Sequence, residues 1–106
     1  MIQSMQEWSI EEWENTKKSG QLCAFYLYTP MCGTCMVASK MMEVIQQTFP
    51  QIPMGKINLN YAEELAYEYQ VESVPCLLIA EDGEVHDKIY AFQSVSYLFE
   101  KFQKKD

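Results

Sequence analysis

The first sustained apolar run, Leu22 to Tyr28, is short and aromatic-rich, without a charged or strongly polar residue. Such a run predicts a buried strand, and apolar side chains on both faces predict a central one with helices on either side. The period then changes. Ala38, Met41, Met42, Ile45 and Phe49 recur at steps of three and four, which predicts an amphipathic helix starting near Cys32 and stopped by Pro50 and Pro53. Upstream, Ser9-Ile10-Glu11-Glu12 has the form of a capping box, and Trp8 and Trp13 have the spacing of a hydrophobic staple. Lys17, Lys18 and Gly20 suit a helix end, so a first helix is expected from about Ile10 to Ser19. The sequence leaves open whether Met1 to Met5 adds an edge strand.

Met54 to Leu59 alternates weakly and predicts a second strand. Asn60, with Glu63 three positions on, predicts a cap for a helix that turns Leu65, Ala66 and Tyr69 inward. Val74-Pro75 opens a third strand reaching Ala80, and Glu81-Asp82-Gly83-Glu84 is a hairpin turn signal. The return strand, Val85 to Tyr90, carries the charges of an edge. Ser94 is placed to cap a last helix with Leu98, Phe99 and Phe102 facing in and Lys101, Lys104 and Lys105 near its C-terminal end. The order α-β-α-β-α-β-β-α predicts an α/β fold: a central mixed sheet with a parallel half and a C-terminal β-hairpin, flanked by about four helices. No repeat or linker divides the chain, so residues 1–106 are expected to form one domain.

Composition narrows the function. Hydrophobic residues make up 48% of the chain, enough for an ordered core. The net charge of −7, with lysine the only basic residue type besides one histidine, argues against nucleic acid and anionic membrane surfaces as partners. No run approaches the roughly 20 apolar residues of a membrane-spanning helix, and the N-terminal residues lack the form of a secretory signal. The expected setting of the four cysteines is therefore a reducing cytoplasm.

Two of those cysteines, Cys32 and Cys35, form Cys-Gly-Thr-Cys at the predicted strand-to-helix junction. A cysteine there meets unpaired backbone N–H groups and the positive end of the helix dipole, and both favour the reactive thiolate. No residue from Gln21 to Ser39 is charged, so backbone N–H groups and the Cys35 thiol are expected to be the main support of a Cys32 thiolate. A structural zinc site wants four ligands, usually two paired knuckles, and no second Cys-x-x-Cys exists. Cys23 lies within a predicted core strand and is expected to be an inert buried thiol. His86, on the charged edge strand, is expected to be exposed and not catalytic.

Taken together, these features resemble the thioredoxin family over nearly the whole chain. The apolar strand leading into Cys32-Gly33-Thr34-Cys35, the strand Lys56-Ile57-Asn58-Leu59, the segment Ser73-Val74-Pro75 before Cys76-Leu77-Leu78-Ile79, and the turn Asp82-Gly83-Glu84-Val85 carry the likeness. The resemblance implies a thiol–disulfide oxidoreductase that reduces or exchanges protein disulfides, with no cofactor and as a monomer. Cys32 would be the nucleophile and Cys35 the resolving thiol, supported by Gly33, Thr34 and a cis Pro75. Met31, Val74 and Phe92 would border the substrate groove. The implied partners are disulfide-containing proteins and an external electron donor, with thioredoxin reductase the family-based choice. The runner-up is a non-catalytic binding or redox-sensing module of the same fold.

The departures matter as well. Met31 stands where the family has Trp, Thr34 where it has Pro between the cysteines, and Tyr26 where it has a buried aspartate. Tyrosine, with an unperturbed pKa of about 10, cannot replace that carboxylate as a base. Thr34 suggests a couple less reducing than the about −270 mV of thioredoxin. Tyr90 replaces a family glycine and, with Phe92, is expected to make the groove rim narrower and more apolar. Cys76, next to Pro75, is a candidate regulatory thiol; the favoured alternative is a small residue at a tight strand start.

Overall fold

The computed structural model describes residues 5–103. A two-residue strand, β1 (Gln6–Glu7), precedes the first helix, α1 (Ile10–Lys18). Ser9 caps α1 through both bonds of the capping box: its hydroxyl accepts from the Glu12 N–H, and the Glu12 carboxylate accepts from the Ser9 N–H. Trp8 and Trp13 both lie against the Phe25 ring, at centroid distances of 5.9 and 5.0 Å, so the staple closes on the core strand beneath it. That strand is β2 (Cys23–Tyr28), and α2 (Gly33–Thr48) follows it. Of the α2 stripe, Ala38, Met42 and Ile45 are buried, and Met41 and Phe49 pack at its border.

β3 (Met54–Asn58) leads to a single 3-10 turn, Leu59–Tyr61, and then to α3 (Glu63–Glu68). Here the expected cap is corrected. Asn60 caps no helix; the side chain of Asn58 accepts from the Asn60 N–H and caps the 3-10 turn. The chain must first turn out of the sheet at Asn58, and buried Ala62 then opens α3 without a side-chain cap. β4 (Cys76–Glu81) and β5 (Glu84–Ile89) form the hairpin. Asp82 and Gly83 both have positive φ, 58° and 83°, the requirement of a two-residue type I′ turn. α4 (Val95–Phe102) is capped by Ser94 as expected, with Leu98 and Phe102 buried. Met1 to Ser4, Lys104 and Lys105 lie outside the described residues.

The five strands are ordered β1-β3-β2-β4-β5. β2 is central, parallel to β3 and antiparallel to β4. The direction of β4 follows from its connection. β3 ends at Asn58 beside Tyr28, and β4 begins at Cys76 beside Leu27, at the same end of the sheet. The connection through the 3-10 turn and α3 returns the chain to the end of the sheet that it left, so β4 runs antiparallel to β2.

Alternation along the strands divides the core into two layers. Ala24, Tyr26, Leu77 and Ile79 face α2 and α4; Phe25, Leu27, Cys76 and Leu78 face α1 and α3. The architecture is a three-layer α/β fold with a five-stranded mixed sheet. Among the described residues no helix is long and apolar enough to cross a membrane.

Candidate active site

The C-terminal end of β2 delivers the chain into the Cys-Gly-Thr-Cys segment, and the N-terminal end of neighbouring β4 delivers Val74-Pro75 to the same edge. The segment turns tightly, with the Cys32 N–H donating to the Thr29 carbonyl at 3.3 Å. Cys32 is the N-cap of α2, in extended conformation, and its sulfur accepts the Cys35 N–H at 3.2 Å. A cysteine thus occupies the position that Ser, Thr, Asp or Asn usually fills, with its sulfur among the free N–H groups of the first turn.

Cys32 is half-exposed and Cys35 is buried. The Thr34 hydroxyl lies 3.1 Å from the Cys32 sulfur. Cys32 is held below the ordinary thiol range, first by the Cys35 thiol and then by the Thr34 hydroxyl, with the two residues' backbone N–H groups adding to both. Cys35 moves the opposite way, to about 11, because burial disfavours its anion and its proton is shared with Cys32. The two thiols differ in exposure, in hydrogen bonding and in the direction of their pKa shifts. Thr34, which the resemblance names as a supporting residue, reaches the sulfur through its hydroxyl: a threonine two residues past a capping cysteine can reach back to it.

Across the site, the Val74 carbonyl is 3.9 Å from the Cys32 sulfur, and the Val74–Pro75 peptide bond is cis. Both residues are half-buried. Met31, which precedes Cys32 in the chain, is 94% exposed. Gly33 is exposed, and a Cβ there would meet open space.

Phe92 does not form the expected rim. Phe92 is buried, edge-on to Tyr26 at 5.8 Å, because the residues before α4 turn inward to cover the sheet face. Tyr90 is fastened to the loop before Pro75: its hydroxyl accepts the Glu72 N–H at 3.1 Å and donates to the Gln70 carbonyl at 3.3 Å. Cys76 is fully buried and points to the α1 and α3 side, away from Tyr26 and α2. Burial pushes its thiol up to about 12, the setting of a small core residue. Cys23, also fully buried, is pushed up to about 11 by burial. His86 is exposed beside Asp87.

Tyr26 sits beneath the site. It is fully buried on β2, and its hydroxyl donates to the Cys35 carbonyl at 2.9 Å and lies 3.0 Å from the Ser39 hydroxyl. Ser39 was not singled out from sequence, although its place four residues after Cys35 puts both on one helix face.

The thioredoxin family model matches residues 4–104. The thioredoxin-like protein YusE of Bacillus subtilis is 42% identical over 96 residues, covering 91% of each chain. The thioredoxin of the same organism is 33% identical over 78 residues, 73% of this chain and 75% of its own length. Among solved structures, mitochondrial thioredoxin 3 of Saccharomyces cerevisiae superposes with a TM-score of 0.81 at 19% identity, covering 92% of each chain. Trypanosoma brucei brucei thioredoxin gives 0.81 at 21% identity, covering 94% of this chain and 88% of its own. With its cysteine pair at the start of α2 and Val74-Pro75 across from it, on a fold these structures share, the chain belongs to the thioredoxin family.

Proposed function

We propose that the chain, acting as one unit, reduces or exchanges disulfides of protein substrates through a Cys32–Cys35 dithiol/disulfide couple. The observation that carries this reading is the asymmetry of the pair: an accessible cap thiol with a lowered pKa beside a buried thiol with a raised one. The Cys32 thiolate attacks one sulfur of the substrate disulfide, and the other leaves as a thiolate. Cys35, after losing its proton, attacks Cys32 and expels the second substrate sulfur. The couple ends oxidised and the substrate reduced, and an external donor restores the thiols. Membership of the family makes thioredoxin reductase the donor to test first.

Met31 and the Val74 backbone form the substrate contacts in this reading. The Val74 carbonyl, close to the sulfur, is available to pair with an extended peptide, as in strand addition. Pro75 fixes that segment against the pair. Phe92 and Cys76 belong to the core. Net charge and the absence of arginine favour protein substrates over nucleic acid, and four free thiols suit a reducing cytoplasm.

The test is reduction of a protein disulfide with dithiothreitol as donor. Wild type should accelerate it, and Cys32→Ser should proceed at the uncatalysed rate. Equal rates for the two overturn the enzymatic reading and leave a binding module. Cys35→Ser should accumulate substrates as mixed disulfides through Cys32.

A further inference from the structure

The reading of Cys35 as the resolving thiol leaves one chemical requirement open. A buried thiol whose pKa lies near 11 must lose its proton before it can attack. Among the described residues, no carboxylate is a hydrogen-bond partner of Cys35. The groups that do surround it form a chain. Tyr26 is held between the Tyr28 ring, stacked at 5.8 Å, and the Phe92 edge, also at 5.8 Å. Its hydroxyl is thereby fixed between the Cys35 backbone carbonyl, to which it donates, and the Ser39 hydroxyl, and it also reaches the Cys35 side chain. Ser39 in turn lines a cavity of about 10 Å³ that Tyr26, Glu43 and Lys56 also border. That volume matches the room one water needs, and the lining offers polar partners. Cys35, Ser39 and Glu43 follow one another at four-residue steps on α2, so one helix face runs from the thiol to a partly exposed carboxylate.

We propose that the Tyr26 and Ser39 hydroxyls form a proton path from the Cys35 thiol to the water-sized cavity at Glu43. The inference rests on the disulfide-exchange function proposed above. In the resolving step a bond forms between the Cys35 and Cys32 sulfurs, and the bond from Cys32 to the substrate sulfur breaks. The substrate sulfur leaves with the electron pair and takes a proton from solvent. The phenolic O–H of Tyr26 turns from the Cys35 carbonyl to the Ser39 oxygen, and the Cys35 proton passes to the Tyr26 oxygen as the Tyr26 proton passes to Ser39. Ser39 gives its own proton to water in the cavity or to the Glu43 carboxylate. The substrate disulfide is the oxidant, so no further redox partner enters.

Tyrosine acts here without ionising. Burial raises its pKa well above the ordinary value, with further contributions from the two cysteines, so the phenol stays protonated and relays a proton without becoming a base. Charged and titratable groups reach it from several sides. Cys32, Cys35 and Glu43 face it from α2, and Lys56 is its register partner on β3. Tyr28 stacks on it and is itself bonded to Glu7 of β1. β4 presents Leu77, and α4 meets the same cluster with Leu98, Phe102 and the partly buried Tyr97.

Single-turnover reaction of the reduced protein with dithiobis(nitrobenzoate) separates the two steps. The first nitrothiobenzoate released reports attack by Cys32, and the second reports resolution by Cys35. Tyr26→Phe keeps the ring and removes the hydroxyl; Ser39→Ala removes the next link from a half-buried helix position. In both, the first release should stay within about twofold of wild type, and the second should slow about tenfold near pH 7, less than the roughly 10²–10⁴-fold of a full general acid or base because water takes over part of the transfer. The deficit should shrink towards pH 10, where hydroxide removes the Cys35 proton directly. Glu43→Gln should slow the second release less than either hydroxyl variant. Unchanged second release in Ser39→Ala from pH 6 to 9 overturns the path, whether or not Tyr26→Phe folds. So does slowing by one constant factor at every pH, which assigns the residues to packing. If wild type itself gives no second release, the exchange function fails, and the path fails with it.

Discussion

At Cys32, the protein uses a helix cap as a device for thiol chemistry. The N-cap sulfur takes the place of a serine or aspartate oxygen and receives the Cys35 N–H. The Thr34 hydroxyl adds a second donor where the family has proline. With the Cys35 thiol, the largest contributor, both bonds favour the anion and hold Cys32 below the ordinary thiol range. Thr34→Val keeps the shape and removes the hydroxyl. Alkylation of Cys32 by iodoacetamide should then slow severalfold at pH 7, with its midpoint moved upward in pH. The two proteins should converge above pH 9.5, once both thiols are ionised. Rates followed by mass spectrometry across that range check this, and superimposable profiles would show that the Cys35 thiol and the backbone support the thiolate without Thr34.

At the scale of elements, the sheet depends on a close approach between β3 and the entry to α1. Gly55 lies between β1 and β2 in the register, and the Trp8 indole covers it so closely that a Cβ there would overlap the ring. Trp8 cannot retreat freely, because its backbone N–H donates to the Lys56 carbonyl at 2.9 Å and its ring meets Phe25. Gly55→Ala should therefore destabilise by about 1–3 kcal/mol in urea unfolding, the range for overpacking a core. Cys32 alkylation should be unchanged, because Gly55 pairs with Phe25, several residues from the site edge. The signals readable in the sequence were the local ones. Ser9 and Glu12 close a capping box within four residues, and Asp82-Gly83 makes its turn by itself. Cys32 and Cys35 were legible because their spacing fixes one helical turn. What the sequence concealed depends on where distant segments meet. Phe92 faces inward because the β2 and α2 surfaces need cover, and Tyr90 finds its partners in the Gln70–Glu72 loop. The Asn60 cap misread a 3-10 turn that only the end of β3 explains.

Over the whole molecule, the same burial that separates the two site thiols makes the reduced protein sensitive to alkali. Cys23 and Cys35 are held near 11 and Cys76 near 12, in each case chiefly by burial. Tyr28 is pushed up to about 12 by burial and by the Glu7 carboxylate beside it. Unfolding returns thiols to about 8.5 and tyrosine to about 10. Between those values and the folded ones, the native state holds protons that the unfolded state has released. Stability from these groups is thus fully present at pH 7 and falls as pH rises, beginning near 8.5 and continuing through about 11 to 12. Each group that ionises only on unfolding contributes a slope of at most about 1.4 kcal/mol per pH unit. Cys32, whose pKa is lowered, acts in the opposite sense: it adds stability once the unfolded thiol ionises, and that contribution is lost as pH falls through its folded value. One such group set against three buried thiols leaves a net loss. Urea unfolding of the reduced protein should accordingly give a midpoint clearly lower at pH 10 than at pH 7. Cys76→Ala, which removes one buried thiol, should shallow that decline even if it lowers the value at pH 7. A midpoint that holds constant to pH 10 would mean that the buried thiols reach solvent in the native state, and the division between an exposed Cys32 and a sealed interior would have to be abandoned.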